Sequence, residues 1–311
     1  MSGTSLGAVV VGVDGSDSAM QAVRWAAAEA ARRNRELRLV HALDDAPAAY
    51  YLPSPMREDL RADLRQRGEA LLATAHAVAR EAVPGLSPRV ELREGRVAEA
   101  LREATESAAL LVLGTEGLRP LGRMLVGSAS VALAAHAACP VVLVRAHVGD
   151  EQPPVSGPVV VGVDGSPAGE QAIAIAFEEA SLRGAPLVAV HVWDETFLAA
   201  VFEQTRLRMD LPAVEERAWE LLAERLAGWQ EKYPDVTVHR ELRRGAPADE
   251  LLAMADRALL LVVGSRGRGG LAGLLLGSTS QAVMSYALCP VIVARGTTDQ
   301  HGLRQERETK R

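Results

Sequence analysis

The chain of 311 residues predicts an α/β protein of two tandem doubly wound domains, each a five-stranded parallel sheet flanked by helices. Three observations predict it. The sequence repeats at an offset of 150 positions; within each repeat, short runs rich in Val and Leu alternate with segments of helical period; and those runs end in polar or glycine-rich loops. The eight residues Val9 to Ser16 return unchanged at Val159 to Ser166, His41 maps on His191, Pro84 on Pro234, Gly95 on Gly245, and Cys139-Pro140-Val141 on Cys289-Pro290-Val291. Such a period is too long for a solenoid repeat and is the size of a whole domain.

Val9-Val10-Val11-Gly12-Val13 reads as a buried strand that ends in Asp14-Gly15-Ser16, with Ser16 as the N-cap of a helix. In the second copy Ser166 precedes Pro167, a favoured first helical residue. Val23, Ala26, Ala27 and Ala30 then recur at helical spacing, while Arg24, Arg32, Arg33 and Arg35 fall on the opposite face or at the helix end. Leu37 to Ala42 and Leu187 to Val192 are second strands.

A variable segment, Ala46 to Pro55 or Thr196 to Pro212, leads to a long helix expected over Leu60 to Val83 and over Ala213 to Tyr233. A third strand near Arg89 to Arg93, a helix over Ala98 to Ser107 and a fourth strand, Ala109 to Leu113, follow. After Gly127-Ser128 a further helix begins, and the repeats close on fifth strands, Pro140 to Arg145 and Pro290 to Arg295. Strands that alternate with helices pair in parallel through right-handed crossovers. The expected domains are 1–148 and 158–296, joined by a polar linker, 149–157, and followed by a polar tail, 297–311, expected to be disordered.

Composition limits the partners. With 48% hydrophobic residues, 24% charged residues and a net charge of −6, the chain offers no basic footing for nucleic acid or an anionic membrane. Met1 to Ala8 carry no basic region, and Gly12 and Asp14 cut the following apolar run short, so neither a signal peptide nor a span is expected and the protein is expected to be cytoplasmic. Cys139 and Cys289 occupy equivalent strand starts and read as buried small residues. No cluster of His, Cys, Asp and Glu has metal-ligand spacing. Trp25, Trp193, Trp219 and Trp229 read as core or interface residues, and His41 and His191 as structural or ligand-shaping ones, since no Ser or Cys nucleophile is tied to either by a motif.

The chemistry-bearing feature is a doubled glycine loop. Gly114-Thr115-Glu116-Gly117, nine residues, then Gly127-Ser128-Ala129-Ser130 is matched by Gly264-Ser265-Arg266-Gly267, nine residues, then Gly277-Ser278-Thr279-Ser280. In open α/β sheets ligands bind beyond the carboxyl ends of the strands, where the Asp14 and Asp164 turns and these loops emerge. Glycines let backbone approach a ligand, and amides at a helix N-terminus suit phosphate oxygens. A Walker loop is excluded because the only lysines, Lys232 and Lys310, lie away from both loops; a dinucleotide fingerprint is excluded because the first strand ends in G-x-D-G-S.

These blocks resemble the universal stress protein family in its tandem form: V-G-V-D-G-S after strand one, His then an apolar residue after strand two, Gly245-Ala246-Pro247, and G-x2-G-x9-G-[ST] followed by C-P-V. The resemblance implies strand order 3-2-1-4-5 and ATP as ligand, with Mg²⁺ carried on its phosphates. It would place Gly12, Val13 and Asp14 (Gly162, Val163 and Asp164) beside the adenosine, Ala42 (Val192) against the adenine and Gly114 (Gly264) near the ribose. Gly117, Gly127, Ser128, Ala129 and Ser130 (Gly267, Gly277, Ser278, Thr279 and Ser280) would hold the phosphates, with Thr115 and Glu116 or Ser265, Arg266 and Arg268 beside them. It further implies a nucleotide-dependent stress regulator with an unidentified regulatory protein partner, domains paired through their fifth strands, and a homodimer. A slow ATPase or nucleotidyl-transfer enzyme and an interaction scaffold are the alternatives.

The copies differ in charge. Arg266 and Arg268 correspond to Glu116 and Leu118, and Gly269-Gly270 to Arg119-Pro120. Opposite charges about 4 Å apart are worth up to ~4 kcal/mol at an effective dielectric of 20, less in an exposed loop. The second site is therefore expected to bind ATP more tightly, with Arg119 and Arg123 offsetting part of the difference or Glu116 meeting the metal.

Overall fold

A computed structural model of the chain describes residues 7–44, 53–115, 127–146, 154–193, 210–267 and 276–295. The chain divides into two compact units, Met1–Glu151 and Gln152–Arg311.

The first unit runs β1 (Ala8–Gly12), α1 (Asp17–Arg32), β2 (Leu37–Leu43), α2 (Ser54–Ala82), β3 (Arg89–Glu94), α3 (Val97–Ala104), β4 (Ala108–Thr115), α4 (Ser128–His136) and β5 (Val141–Arg145). Its strands lie in the order β3-β2-β1-β4-β5, every pair parallel. Val9, Val10 and Val11 are fully buried, as a strand covered on both faces requires. Ala22, Val23, Ala26, Ala27 and Ala30 of α1 are buried as well. Small side chains on that face let the helix lie close to the sheet.

The second unit repeats the plan with β6 (Val159–Gly162), α5 (Pro167–Arg183), β7 (Leu187–Trp193), α6 (Leu211–Leu226), α7 (Trp229–Lys232), β8 (Val238–Arg244), α8 (Pro247–Ala255), β9 (Leu260–Gly264), α9 (Ser278–Tyr286) and β10 (Val291–Ala294). The order is β8-β7-β6-β9-β10, again parallel. Both units thus show the 3-2-1-4-5 order, doubly wound about their first strand.

Some expectations need correction. The helix expected over Ala213 to Tyr233 is broken: α6 ends at Leu226, Gly228 takes a left-handed φ of 76°, and α7 restarts at Trp229. The break accompanies an aromatic stack in which the Phe177 ring lies 5.4 Å from Trp229 and 5.7 Å from Tyr233. The corresponding residues of the first unit are Ala27, Ala79 and Val83, and α2 there runs unbroken to Ala82. The helix expected to reach Ser107 ends at Ala104 and finishes as a 3-10 turn, Thr105–Ser107. Trp193 is buried, Trp25 and Trp229 are half-buried, and Trp219, 45% exposed, is not a core residue.

Candidate functional site

Each unit brings its candidate residues to the carboxyl ends of β1, β2 and β4, or of β6, β7 and β9. The turn after the first strand is built identically in both. Asp14 Oδ1 accepts from the Ser16 amide at 2.9 Å and from Ser16 Oγ at 2.6 Å; Asp164 Oδ1 accepts from the Ser166 amide at 2.9 Å and Ser166 Oγ at 2.7 Å. The same serine hydroxyls cap the following helix, accepting from the Ala19 amide at 3.1 Å and the Gly169 amide at 3.0 Å. The aspartates therefore serve the turn directly and α1 or α5 indirectly, through Oδ1.

The residue before each aspartate is gripped from both sides by the second strand. Val13 N donates to Val40 O at 2.9 Å while His41 Nδ1 lies 2.6 Å from Val13 O; Val163 N donates to Val190 O at 2.8 Å while His191 Nδ1 lies 2.6 Å from Val163 O. A carbonyl only accepts, so Nδ1 carries the proton in both rings. The two histidines extend the sheet by one side-chain bond. Ala42 and Val192, the next residues, are half-buried at the sheet end.

Gly114 and Gly264 have a packing reason of their own. A Cβ on Gly114 would lie 2.6 Å from the Ala19 backbone nitrogen, and one on Gly264 would lie 3.0 Å from the Ala168 carbonyl carbon. The first helix of each unit crosses its fourth strand there. The closeness expected between these glycines and a ribose is thus already taken, on the helix side, by backbone.

In the second unit the glycine loop is tied to the rest of the site. Gly277 N donates to Ser265 O at 2.9 Å, so the loop is closed at its base, and Ser280 Oγ donates to Gly264 O at 2.6 Å. The hydroxyl proton of Ser280, one of the expected phosphate ligands, goes to the strand end, which leaves its backbone amide as the donor for that role. Ser166 Oγ lies 3.1 Å from Arg266 O, and a Cβ on Gly267 would meet Asp164 Oδ2 at 2.7 Å. The turn after β6 and the loop after β9 therefore converge. Arg266 and Gly267 are exposed there, and Ser265 is buried.

The helices that follow the loops start without a side-chain cap: Gly127 is the N-cap of α4 and Gly277 of α9, and neither helix is capped by a side-chain bond. Ser128 and Ser278, their first residues, are both exposed, and among the described residues nothing lies within 4 Å of a Cβ placed on Gly127. Open first-turn amides of this kind accept an anion. In the first unit Glu116, Gly117, Leu118, Arg119, Pro120 and Arg123 lie outside the described residues, as do Arg268, Gly269 and Gly270 in the second. Ala129 and Thr279 are half-buried and Ser130 is buried in the first turns of α4 and α9. Among the described residues no group of three His, Cys, Asp or Glu side chains could hold a metal ion.

A cavity of about 150 Å³ lies elsewhere, between α2 and the ends of β2 and β3, lined by Leu43, Arg61, Ala62, Leu64, Arg65 and Glu94. It shares no residue with the glycine loop. The equivalents of Leu43 and Glu94 in the second unit are Trp193 and Arg244, whose guanidinium lies 5.3 Å over the indole.

The fold and its loops define a doubly wound domain, present twice, with an open helix N-terminus behind a glycine loop. The chain belongs to the universal stress protein family, whose model matches residues 6–145 and again 156–295. It is 44% identical over 290 residues to a universal stress protein of Mycobacterium tuberculosis, covering 92% of this chain and 96% of that one. A relative from Mycolicibacterium smegmatis is 41% identical over 306 residues, with 92% and 96% covered. Among solved structures, a universal stress protein from Archaeoglobus fulgidus aligns with a TM-score of 0.67 at 20% identity over 93% of this chain and 98% of its own. One from Pseudomonas aeruginosa aligns at 0.57 and 18%, with 94% of each covered. These two likenesses speak to the fold. Among the described residues no helix is long and apolar enough to cross a membrane.

Proposed function

We propose that each unit is a nucleotide-binding module that takes ATP with Mg²⁺ carried on its phosphates, and that occupancy sets the state of a stress-response regulator. The observation that carries this reading is the convergence in the second unit: Ser166 Oγ 3.1 Å from Arg266 O, beside the uncapped start of α9. The nucleoside would lie over Val163, Asp164 and Val192, and the phosphates would meet the loop and the first amides of α9, near Arg266. The donor set suits the group: backbone N–H and Ser or Thr hydroxyls for phosphate oxygens, a carboxylate for sugar or base donors. Exposed Arg266, where the first unit has Glu116, supports tighter binding at the second site. Within each unit taken by itself the fifth strand, β5 or β10, pairs with the fourth on one side only, which supports the reading that fifth strands serve assembly.

Mass spectrometry of the intact protein under native conditions, with nucleotide identified after denaturation, tests this. ATP is expected to accompany the chain or to bind on addition with Mg²⁺, and Gly277→Glu, which places a carboxylate before the first amides of α9, is expected to weaken binding at that site at least tenfold, on the scale of a lost charged hydrogen bond. Unimpaired binding by a folded Gly277→Glu chain would remove α9 from the site. ATP turnover faster than nucleotide release would move the reading to an enzyme.

A further inference from the structure

We propose that Gly169 is a positioning residue for the second site: lacking a Cβ, it lets the Asp164 carboxylate lie against the first turn of α5, turned toward Gly267, an orientation that Ala19 denies to Asp14. The proposal rests on the nucleotide reading for its ligand, but its geometry stands on distances within the second unit.

A Cβ on Gly169 would lie 2.5 Å from Asp164 Oδ1 and 3.2 Å from Ser166 Oγ. At the first of these distances the Asp164 carboxylate would have to shift. In the first unit the equivalent residue is Ala19, and its methyl takes up that volume. Asp14 keeps both bonds to Ser16, at 2.9 and 2.6 Å, beside that methyl. Asp14 is exposed and Asp164 half-buried, in keeping with that difference.

The other carboxylate oxygen gives the arrangement its consequence. Asp164 Oδ2 stands 2.7 Å from where a Cβ of Gly267 would be, so the carboxylate bridges the start of α5 and the glycine loop. Glycine is therefore needed on both sides of Asp164, at 169 and 267. Serine chemistry differs in parallel. Ser16 Oγ has Ser18 Oγ as a neighbour at 2.9 Å, where the second unit has Ala168, and Ser166 Oγ, while bonded to Asp164 Oδ1 at 2.7 Å, also lies 3.1 Å from Arg266 O. The pair Ala168-Gly169 thus clears the space in which Asp164 and Ser166 face the loop. Glycine in a helix costs up to about 1 kcal/mol against alanine, so Gly169 sits there against local helix preference.

The test uses the full chain, ATP with excess Mg²⁺ and hydrogen-exchange mass spectrometry, which reads each glycine loop through its own peptides. Gly169→Ala is expected to raise the ATP concentration for half-protection of peptides spanning Leu260 to Gln281 about tenfold, the scale of one misplaced charged hydrogen bond. Peptides of the first loop are expected to keep their midpoint. The unfolding temperature is expected to hold or rise, because the collision is with the end of a side chain and alanine favours helix; a merely structural glycine would give the opposite. In an Asp164→Ala background Gly169→Ala is expected to have no further effect on the midpoint. An unchanged midpoint for Gly169→Ala, or an equal loss with and without Asp164, overturns the proposal and leaves the nucleotide reading standing. Should ATP protect neither loop of the unaltered chain, the nucleotide reading falls. The ligand-free amides of Ser265 to Gly267 then decide: faster exchange in Gly169→Ala upholds the positioning role, and identical exchange overturns it.

Discussion

At the scale of residues, the site is governed by where a Cβ cannot go. Gly114 faces the backbone nitrogen of Ala19 at 2.6 Å, and Gly264 faces the Ala168 carbonyl carbon at 3.0 Å, so the first copy is the tighter. Backbone cannot rotate away as a side chain can. Gly114→Ala is expected to destabilise its unit by roughly 1–3 kcal/mol, and Gly264→Ala by less, in chemical denaturation followed by circular dichroism. Equal costs would show that the helix adjusts freely in both copies. The need for glycine at 114 and 264 was legible in the sequence, because the loops repeat in register; its cause was not, because only the crossing of α1 over β4 reveals what fills the space. Gly169 lay further out of reach. A glycine in the third position of a helix looks like noise until Asp164 is seen lying where its Cβ would be.

At the scale of elements, the strands were legible because apolar runs such as Val9-Val10-Val11 are buried on both sides of a parallel sheet. What charged residues do inside those elements was not. Arg38, flanked by Leu37 and Leu39, is buried, with its guanidinium 3.5 Å from Glu91 on β3, 3.0 Å from Ser107 Oγ and 3.3 Å from Ala104 O. It ties β2 to β3 and to the end of α3. Burial pushes the Glu91 carboxyl up, but the hydrogen bond from Arg93 and the charges of Arg38, Arg93 and Arg89 together hold it below its ordinary range. Its proton therefore returns later in the folded than in the unfolded chain. The resulting stability is present above the ordinary carboxylate range and is lost as pH falls through the lowered value. Glu91→Gln is expected to destabilise the first unit at neutral pH by roughly 1–3 kcal/mol, with the gap to the unaltered chain narrowing below about pH 4. A gap independent of pH would mean that shape, not charge, holds β3. The broken helix at Gly228 escaped the sequence reading because helical period continues across it, while the stack of Trp229 and Tyr233 on Phe177 depends on residues some fifty positions apart.

At the scale of the whole molecule, duplication places one thiol in each unit at the same station. Cys139 and Cys289 are both buried, and burial pushes the Cys289 thiol up to about 12. Near pH 8 its thiolate fraction is then on the order of 10⁻⁴, and reagent has no path to it in the folded state. Neither thiol is expected to react with a maleimide until denaturant opens its own unit, so peptide mapping after timed labelling reports the opening of each unit separately. Labelling of either cysteine well below the unfolding transition would contradict the burial. The bond from Gly277 N to Ser265 O has a consequence of another kind. It staples the two ends of the segment between them to each other and to the ends of β9 and α9. Doubling the length of that segment costs only about 0.6 kcal/mol in chain entropy. Insertions between the two stapled ends are therefore expected to leave β9 and α9 in place.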